Sequence, residues 1–142
     1  MKESTVIDRL EASFDRVLAE LNAQLHTDEQ FTLRLQGEVS QFTRFNQAKV
    51  RQTGIVQDGN LQLKLISQQR SNSIEFPCTG NLEIDLPQAQ GALELLRSEL
   101  PQLPVDPYLV TPTGAATSRE IHAGELLPET DSGFCDGYVT RQ

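Results

Sequence analysis

Phe31-Thr32-Leu33-Arg34-Leu35 and, thirty residues on, Leu61-Gln62-Leu63-Lys64-Leu65 alternate apolar and polar residues with a period of two, and this alternation decides the fold. Side chains of a strand point to opposite faces in turn, so the pattern marks antiparallel strands with one face packed and the other wet. Between the two stretches, after Gly37, the residues Val39, Phe42, Phe45, Val50, Ile55 and Val56 stand among polar neighbours and continue the strand reading. Asp58-Gly59 is expected to form a tight turn, because a type I′ turn requires positive φ at both central positions. Ser73 to Thr79 predicts a further strand, which Pro77 confines to a sheet edge or to the strand's own end. The sheet is thus expected to hold four or five strands.

Helical periodicity flanks this region. Val6, Ile7, Leu10, Phe14, Val17, Leu18, Leu21 and Leu25 recur at three- and four-residue steps among charged residues, which predicts an amphipathic helix capped by Ser4 or Thr5, with His26 at its far end. Asp85-Leu86-Pro87 reads as a second helix start, with Asp85 as cap and Ala89, Ala92, Leu93, Leu95, Leu96 and Leu100 following until Pro101 and Pro104. The predicted class is α+β: an antiparallel sheet with an amino-terminal and a later amphipathic helix packed on one face, over residues 3–107. Residues 108–142 show no sustained period and are expected to be a linker-like, weakly ordered tail; residues 101–142 hold five of the seven prolines.

At 142 residues the chain has room for one domain and a modest core. No apolar run is long enough to cross a bilayer, and the opening residues lead into an acidic helix pattern instead of a signal-peptide core, so a soluble, cytoplasmic protein is expected. Cys78 and Cys135 lack any ligand or framework spacing and are expected to be free thiols. The net charge of −8 disfavours nonspecific binding to nucleic acid or an anionic membrane. Charge is unevenly spread, however: residues 31–80 carry six basic and three acidic groups, and the rest of the chain is acidic.

A search by residue type finds no catalytic constellation. His26 and His122 have no second histidine within a turn, and His26-Thr27-Asp28-Glu29 fails the His-Glu-x-x-His pattern. Asp8, Glu11 and Asp15 interleave with Arg9 and Arg16 as a solvated helix face. No glycine-rich phosphate loop and no Gly-x-Ser-x-Gly elbow is present. What remains is the basic island around Arg44, Lys49 and Arg51 with Phe42 and Phe45, residue types that bind single-stranded nucleic acid or an acidic peptide, or that pair with the acidic helices. Phe42 and Phe45 differ in parity, so one of them is expected to enter the core.

The run Gln41-Phe42-Thr43-Arg44-Phe45-Asn46-Gln47-Ala48-Lys49-Val50-Arg51-Gln52-Thr53-Gly54, followed by Asp58-Gly59 and the Leu61–Leu65 alternation, resembles the amino-terminal domain of the TldD/PmbA family. The flanking helices and Leu100-Pro101-Gln102-Leu103-Pro104-Val105-Asp106-Pro107-Tyr108 extend the resemblance to about residues 5–110. It implies a metallopeptidase system, once labelled a modulator of DNA gyrase, in which paired subunits process peptides. Its zinc sits in a carboxy-terminal domain on a His-Glu-x-x-x-His helix that this sequence does not contain. No metal ligand or catalytic residue transfers to this chain, which is expected to hold no cofactor and to be inactive alone. The resemblance implies a non-catalytic domain contributing to a subunit interface or peptide channel, with a second such subunit, self-association or a peptide as partner. The alternative is a stand-alone module for peptides or single-stranded nucleic acid. Arg44, Phe45, Asn46, Lys49 and Arg51 are the expected contact residues.

Overall fold

The computed structural model describes residues 6–111, 117–122 and 135–141, with side chains described up to residue 120. The elements are α1 (Val6–Ala23), β1 (Glu29–Asn46), β2 (Lys49–Ser67), β3 (Arg70–Pro77), α2 (Leu82–Glu99), β4 (Arg119–His122) and β5 (Cys135–Arg141), with a 3-10 turn at Leu100–Gln102. The strands form one antiparallel sheet in the order β3-β2-β1-β5-β4. The predicted α+β class, with both helices on one sheet face, is what the chain adopts.

The alternation does its work in the first half of β1 and the second half of β2. Leu33 and Leu35 pair with Leu63 and Leu61, and all four are buried. Leu10, Phe14, Val17 and Leu21 of α1 and Ala89, Ala92, Leu93 and Leu96 of α2 close over them in a single cluster, with Phe76 of β3 and Cys78 at its side. β3 lies at the sheet edge and stops at Pro77, which has no amide hydrogen to extend the ladder.

Two expectations change. Asp58-Gly59 is no turn: both residues lie within β2, paired with Glu38 and Gly37. The hairpin is closed instead by Gln47-Ala48, at φ 51° and 58°, and the β2–β3 turn by Gln68-Gln69, at φ 51° and 60°. Pairing of two strands of 18 and 19 residues outweighs the local Asp-Gly preference. At Gly37 and Gly59 the missing side chains admit Leu10: a Cβ at either position would lie 2.9 Å from a Leu10 methyl.

The second helix begins before the expected cap. Asn81 is its N-cap, accepting the Glu83 N–H at 3.1 Å, and Pro87 lies inside the helix. Asp85 turns inward, fully buried. The caps expected at Ser4 and Thr5 lie outside the described residues.

Two segments of the range expected to be linker-like, β4 and β5, are also in the sheet. β5 pairs with Leu35–Gln41 of β1 and β4 pairs with β5, main-chain contacts that leave no side-chain period in the sequence. Arg119 on β4 also forms an ion pair with Glu11 of α1 at 2.8 Å. No helix among the described residues is long and apolar enough to cross a membrane.

Candidate functional site

From Val39 to Gln57 the β1–β2 hairpin leaves the helix layer behind and contains no buried residue. The chain rises about 3.3 Å per strand residue, so this arm reaches roughly 30 Å beyond the Gly37–Gly59 pair. Its residues include Arg44, Lys49 and Arg51 and no acidic group, so it carries +3 on a chain of net −8. Phe45, Val50, Ile55 and Val56 are 58%, 52%, 56% and 49% exposed. A two-stranded ribbon is only marginally stable alone in water, and one that exposes four large apolar residues is suited to contact.

All five expected contact residues lie at the tip of this arm, divided between its faces by the ladder. Phe42, Arg44 and Asn46 share one face of β1, and Asn46 pairs with Lys49. Phe45 is on the other face, paired with Val50. The register shifts between Arg44 and Phe45, where Arg44 pairs with Gln52 and Phe45 with Val50, so Arg51 is the extra residue of a bulge.

Neither phenylalanine enters the core. Phe42 lies across Gly54, where a Cβ would sit 2.7 Å from its ring, so the glycine provides the seat for the aromatic side chain. The Arg44 guanidinium carbon is 5.9 Å from the Phe42 ring centroid, a cation–π contact. Arg44 and Arg51 form no ion pair with either helix among the described residues.

Sequence reasoning missed Val50, Ile55 and Val56 as surface residues, because apolar residues in a strand pattern are assigned to a core. The available signal was the run Gln52–Gln57, uncharged beside a cationic tip.

Two other clusters are polar but serve the fold. Asp85 accepts from Ser13 Oγ at 2.6 Å, Thr79 N–H and Oγ1 at 2.8 Å each, Gly80 N–H at 3.0 Å and Cys78 Sγ at 3.6 Å. This carboxylate in the first turn of α2 gathers the loop after β3 and fastens it to α1. Burial, reinforced by Asp85, pushes the Cys78 thiol up to about 12, so it is a poor nucleophile. Cys78 is a free thiol, as expected, and the side chain of Cys135 lies outside those described.

The second cluster borders a cleft of about 240 Å³ lined by His26, Asp28, Glu29, Arg70 and Arg97 among others. Its charges are engaged by their neighbours. Arg97 donates to Glu29 at 2.7–3.2 Å and to the Gln24 carbonyl at 2.6 Å, Glu29 also accepts the His26 N–H, and Arg70 Nε donates to the Leu103 carbonyl. The hydrogen bonds from Arg97 hold the Glu29 carboxyl below its ordinary value despite its burial. The group clasps the end of α1, the start of β1 and the last turn of α2. Among the described residues no group of three or more His, Cys, Asp or Glu could hold a metal ion. His122 lies on β4, with its side chain outside those described.

No protein-family model and no curated protein matches the chain. Among solved structures it is similar to a Thermotoga maritima protein described as a "putative modulator of a DNA gyrase", at 14% identity and a TM-score of 0.39. The match covers 60% of this chain and 19% of that one, a distant likeness of fold.

Proposed function

We propose that this chain is a non-catalytic interaction domain of the kind that opens TldD/PmbA-type metallopeptidases, acting in the cytoplasm and contributing its β-arm to a subunit interface or to one wall of a peptide channel. The observation that carries this reading is the arm: about 30 Å of ribbon, cationic, with four half-exposed large apolar residues and no cover from the helices. The ordered resemblance of residues 5–110 to the family's amino-terminal domain supports the assignment. In that family zinc and the catalytic glutamate belong to another domain, so the role left to this one is binding. An extended peptide or a neighbouring subunit meets a ribbon through backbone hydrogen bonds and alternate side chains, for which Arg44, Phe45, Asn46, Lys49 and Arg51 are the contacts.

The test is fluorescence anisotropy with labelled extended peptides of acidic, neutral and basic composition, on the wild-type chain and on Arg44→Ala/Arg51→Ala. Acidic peptides are expected to bind best, and the double variant to lose most of that binding while its unfolding free energy stays within about 0.5 kcal/mol of wild type. Binding indifferent to the double substitution, or collapse of the fold, removes the arm from the function. The Arg44–Phe42 contact and the exposed Phe45 favour a second reading, a module for single-stranded nucleic acid. Oligonucleotide affinity that falls steeply with salt supports that reading, and absence of binding at low salt eliminates it.

A further inference from the structure

We propose that the free edge of β2 along Thr53–Gln57 is a self-complementary docking edge, which pairs antiparallel with the same edge of a second copy of this chain. The proposal rests on the arm being the binding element and goes further by naming the occupant and the register. Gly59 fixes which backbone groups point outward. Its carbonyl accepts from Cys78 N–H at 2.8 Å, on the β3 side, and its own N–H donates to the Asp58 carboxylate at 2.9 Å. Alternate residues of a strand repeat this direction, so Gln57, Ile55 and Thr53 turn their N–H and C=O groups away from β1. β3 ends opposite Asn60, and on that side of β2 no described residue pairs with Lys49–Asp58, whose other side is taken by β1.

Exposed edges are ordinarily blunted by charge, proline or a bulge. From Gln52 to Gln57 there is no charge and no proline. The charges stand at the two ends and have opposite sign: Lys49 and Arg51 toward the tip, Asp58 at the root. A parallel neighbour would set like charges together. An antiparallel neighbour, turned about a twofold axis through Ile55, sets Thr53 opposite Gln57 and Gln52 opposite Asp58 of the second copy, so that Arg51, the extra bulge residue next to Gln52, comes within one step of that carboxylate, twice by symmetry.

The two Arg51 residues then lie about 26 Å apart, beyond the roughly 8 Å over which exposed charges interact at physiological salt. Ile55, half-exposed in the single chain, meets its own counterpart on the axis. Val56 falls opposite Gly54 of the second copy, beside the Phe42 ring that lies over that glycine. The bulge at Arg51 ends the regular edge, so the pairing is confined to Thr53–Gln57 and stops short of the neighbour's β3.

The test is sedimentation velocity on the full chain from micromolar to submillimolar concentration, for wild type, Arg51→Glu, Asp58→Arg and an equimolar mixture of the two variants. Wild type is expected to show a reversible monomer–dimer equilibrium, and each single reversal to raise the dissociation constant by about tenfold or more. The mixture is expected to recover dimer, because in the mixed pair both contacts again join opposite charges. Far-UV circular dichroism verifies that each variant is folded. Amide exchange at Thr53, Ile55 and Gln57 is expected to slow as wild-type concentration rises.

A wild-type chain that stays monomeric, or a dimer indifferent to both reversals, overturns the proposal. Monomeric wild type that binds acidic peptide through the arm would overturn this pairing and leave the proposed function standing. A dimer that forms while no peptide binds would support the pairing alone.

Discussion

Removal of the Asp85 carboxylate tests whether the loop after β3 is held by one buried acceptor. The side chain is fully buried and receives donors from Ser13, Cys78, Thr79 and Gly80, with no cationic partner among them. Asp85→Ala strands two backbone N–H groups and two hydroxyls, the Ser13 hydroxyl buried and the Thr79 and Gly80 donors partly buried. A buried unmet donor costs about 1–3 kcal/mol, and rotation of the two hydroxyls recovers part of that, so the loss is about 4 kcal/mol. Small domains are stable by only about 5–15 kcal/mol, so this is a large fraction.

Asp85→Asn is the sharper variant. Its amide oxygen keeps the bonds from Thr79, but its NH₂ group confronts the Gly80 N–H, donor against donor, for a loss of about 2–3 kcal/mol. Ser13→Ala removes one donor and leaves the carboxylate its others, at a cost of about 1 kcal/mol. Urea unfolding followed by circular dichroism, with m-values compared, gives all three. The order Ala, then Asn, then the Ser13 variant is the prediction. An Asp85→Ala protein within 1 kcal/mol of wild type would refute the account of the loop as carboxylate-organised.

Three further outcomes follow from other parts of the fold. Arg97→Met leaves Glu29 buried without its guanidinium and is expected to cost about 2–3 kcal/mol at neutral pH. Because Arg97 holds the folded-state Glu29 value below its unfolded value, that stabilisation is complete above the ordinary glutamate range and is lost as pH falls through the folded value. The gap between variant and wild type in urea melts should therefore narrow in acid; a constant gap contradicts the assignment. Gly59→Ala is expected to be more destabilising than Gly37→Ala in thermal melts. The Gly59 Cβ would meet the backbone carbonyl of Cys78 at 2.8 Å, whereas that of Gly37 meets only a movable Leu10 methyl at 2.9 Å. Gln47→Asn/Ala48→Gly relieves two left-handed non-glycine residues and is expected to stabilise the arm locally by about 1–2 kcal/mol. Slower amide exchange along Thr43–Thr53, with little change in global unfolding, is the expected reading.

The body of the domain was legible because its signals are periodic. Leu10, Phe14, Val17 and Leu21 fall at helical spacing, Leu61, Leu63 and Leu65 at strand spacing, and all of them are buried together. The misreadings share a cause: local preferences yielded to longer-range pairing. Asp58-Gly59 is a favourable turn in isolation, yet Leu33–Leu35 must face Leu61–Leu63, and that register carries the glycine into mid-strand opposite Gly37. Asp85 is a favourable cap, but Asn81 reaches the free amide first and Asp85 is recruited to Thr79, Gly80 and Ser13. The arm's basic residues were visible from composition. Its exposed Ile55 and Val56 were not, because a sequence shows which residues alternate and not where the covering helices stop.

The Gly37–Gly59 pair, where Leu10 of α1 sits against the sheet, divides the hairpin into a length that is fixed and a length that is free. On the near side every second residue is committed to a helix contact; on the far side, beyond Gln41 where the pairing with β5 ends, nothing in the core counts the residues. Adding or removing two residues on each strand of the arm preserves which side chains share a face, whereas one on each exchanges them. Reach is therefore adjustable in steps of about 7 Å without repacking the body. The domain can be fitted to partners at different distances by changes confined to its most exposed segment.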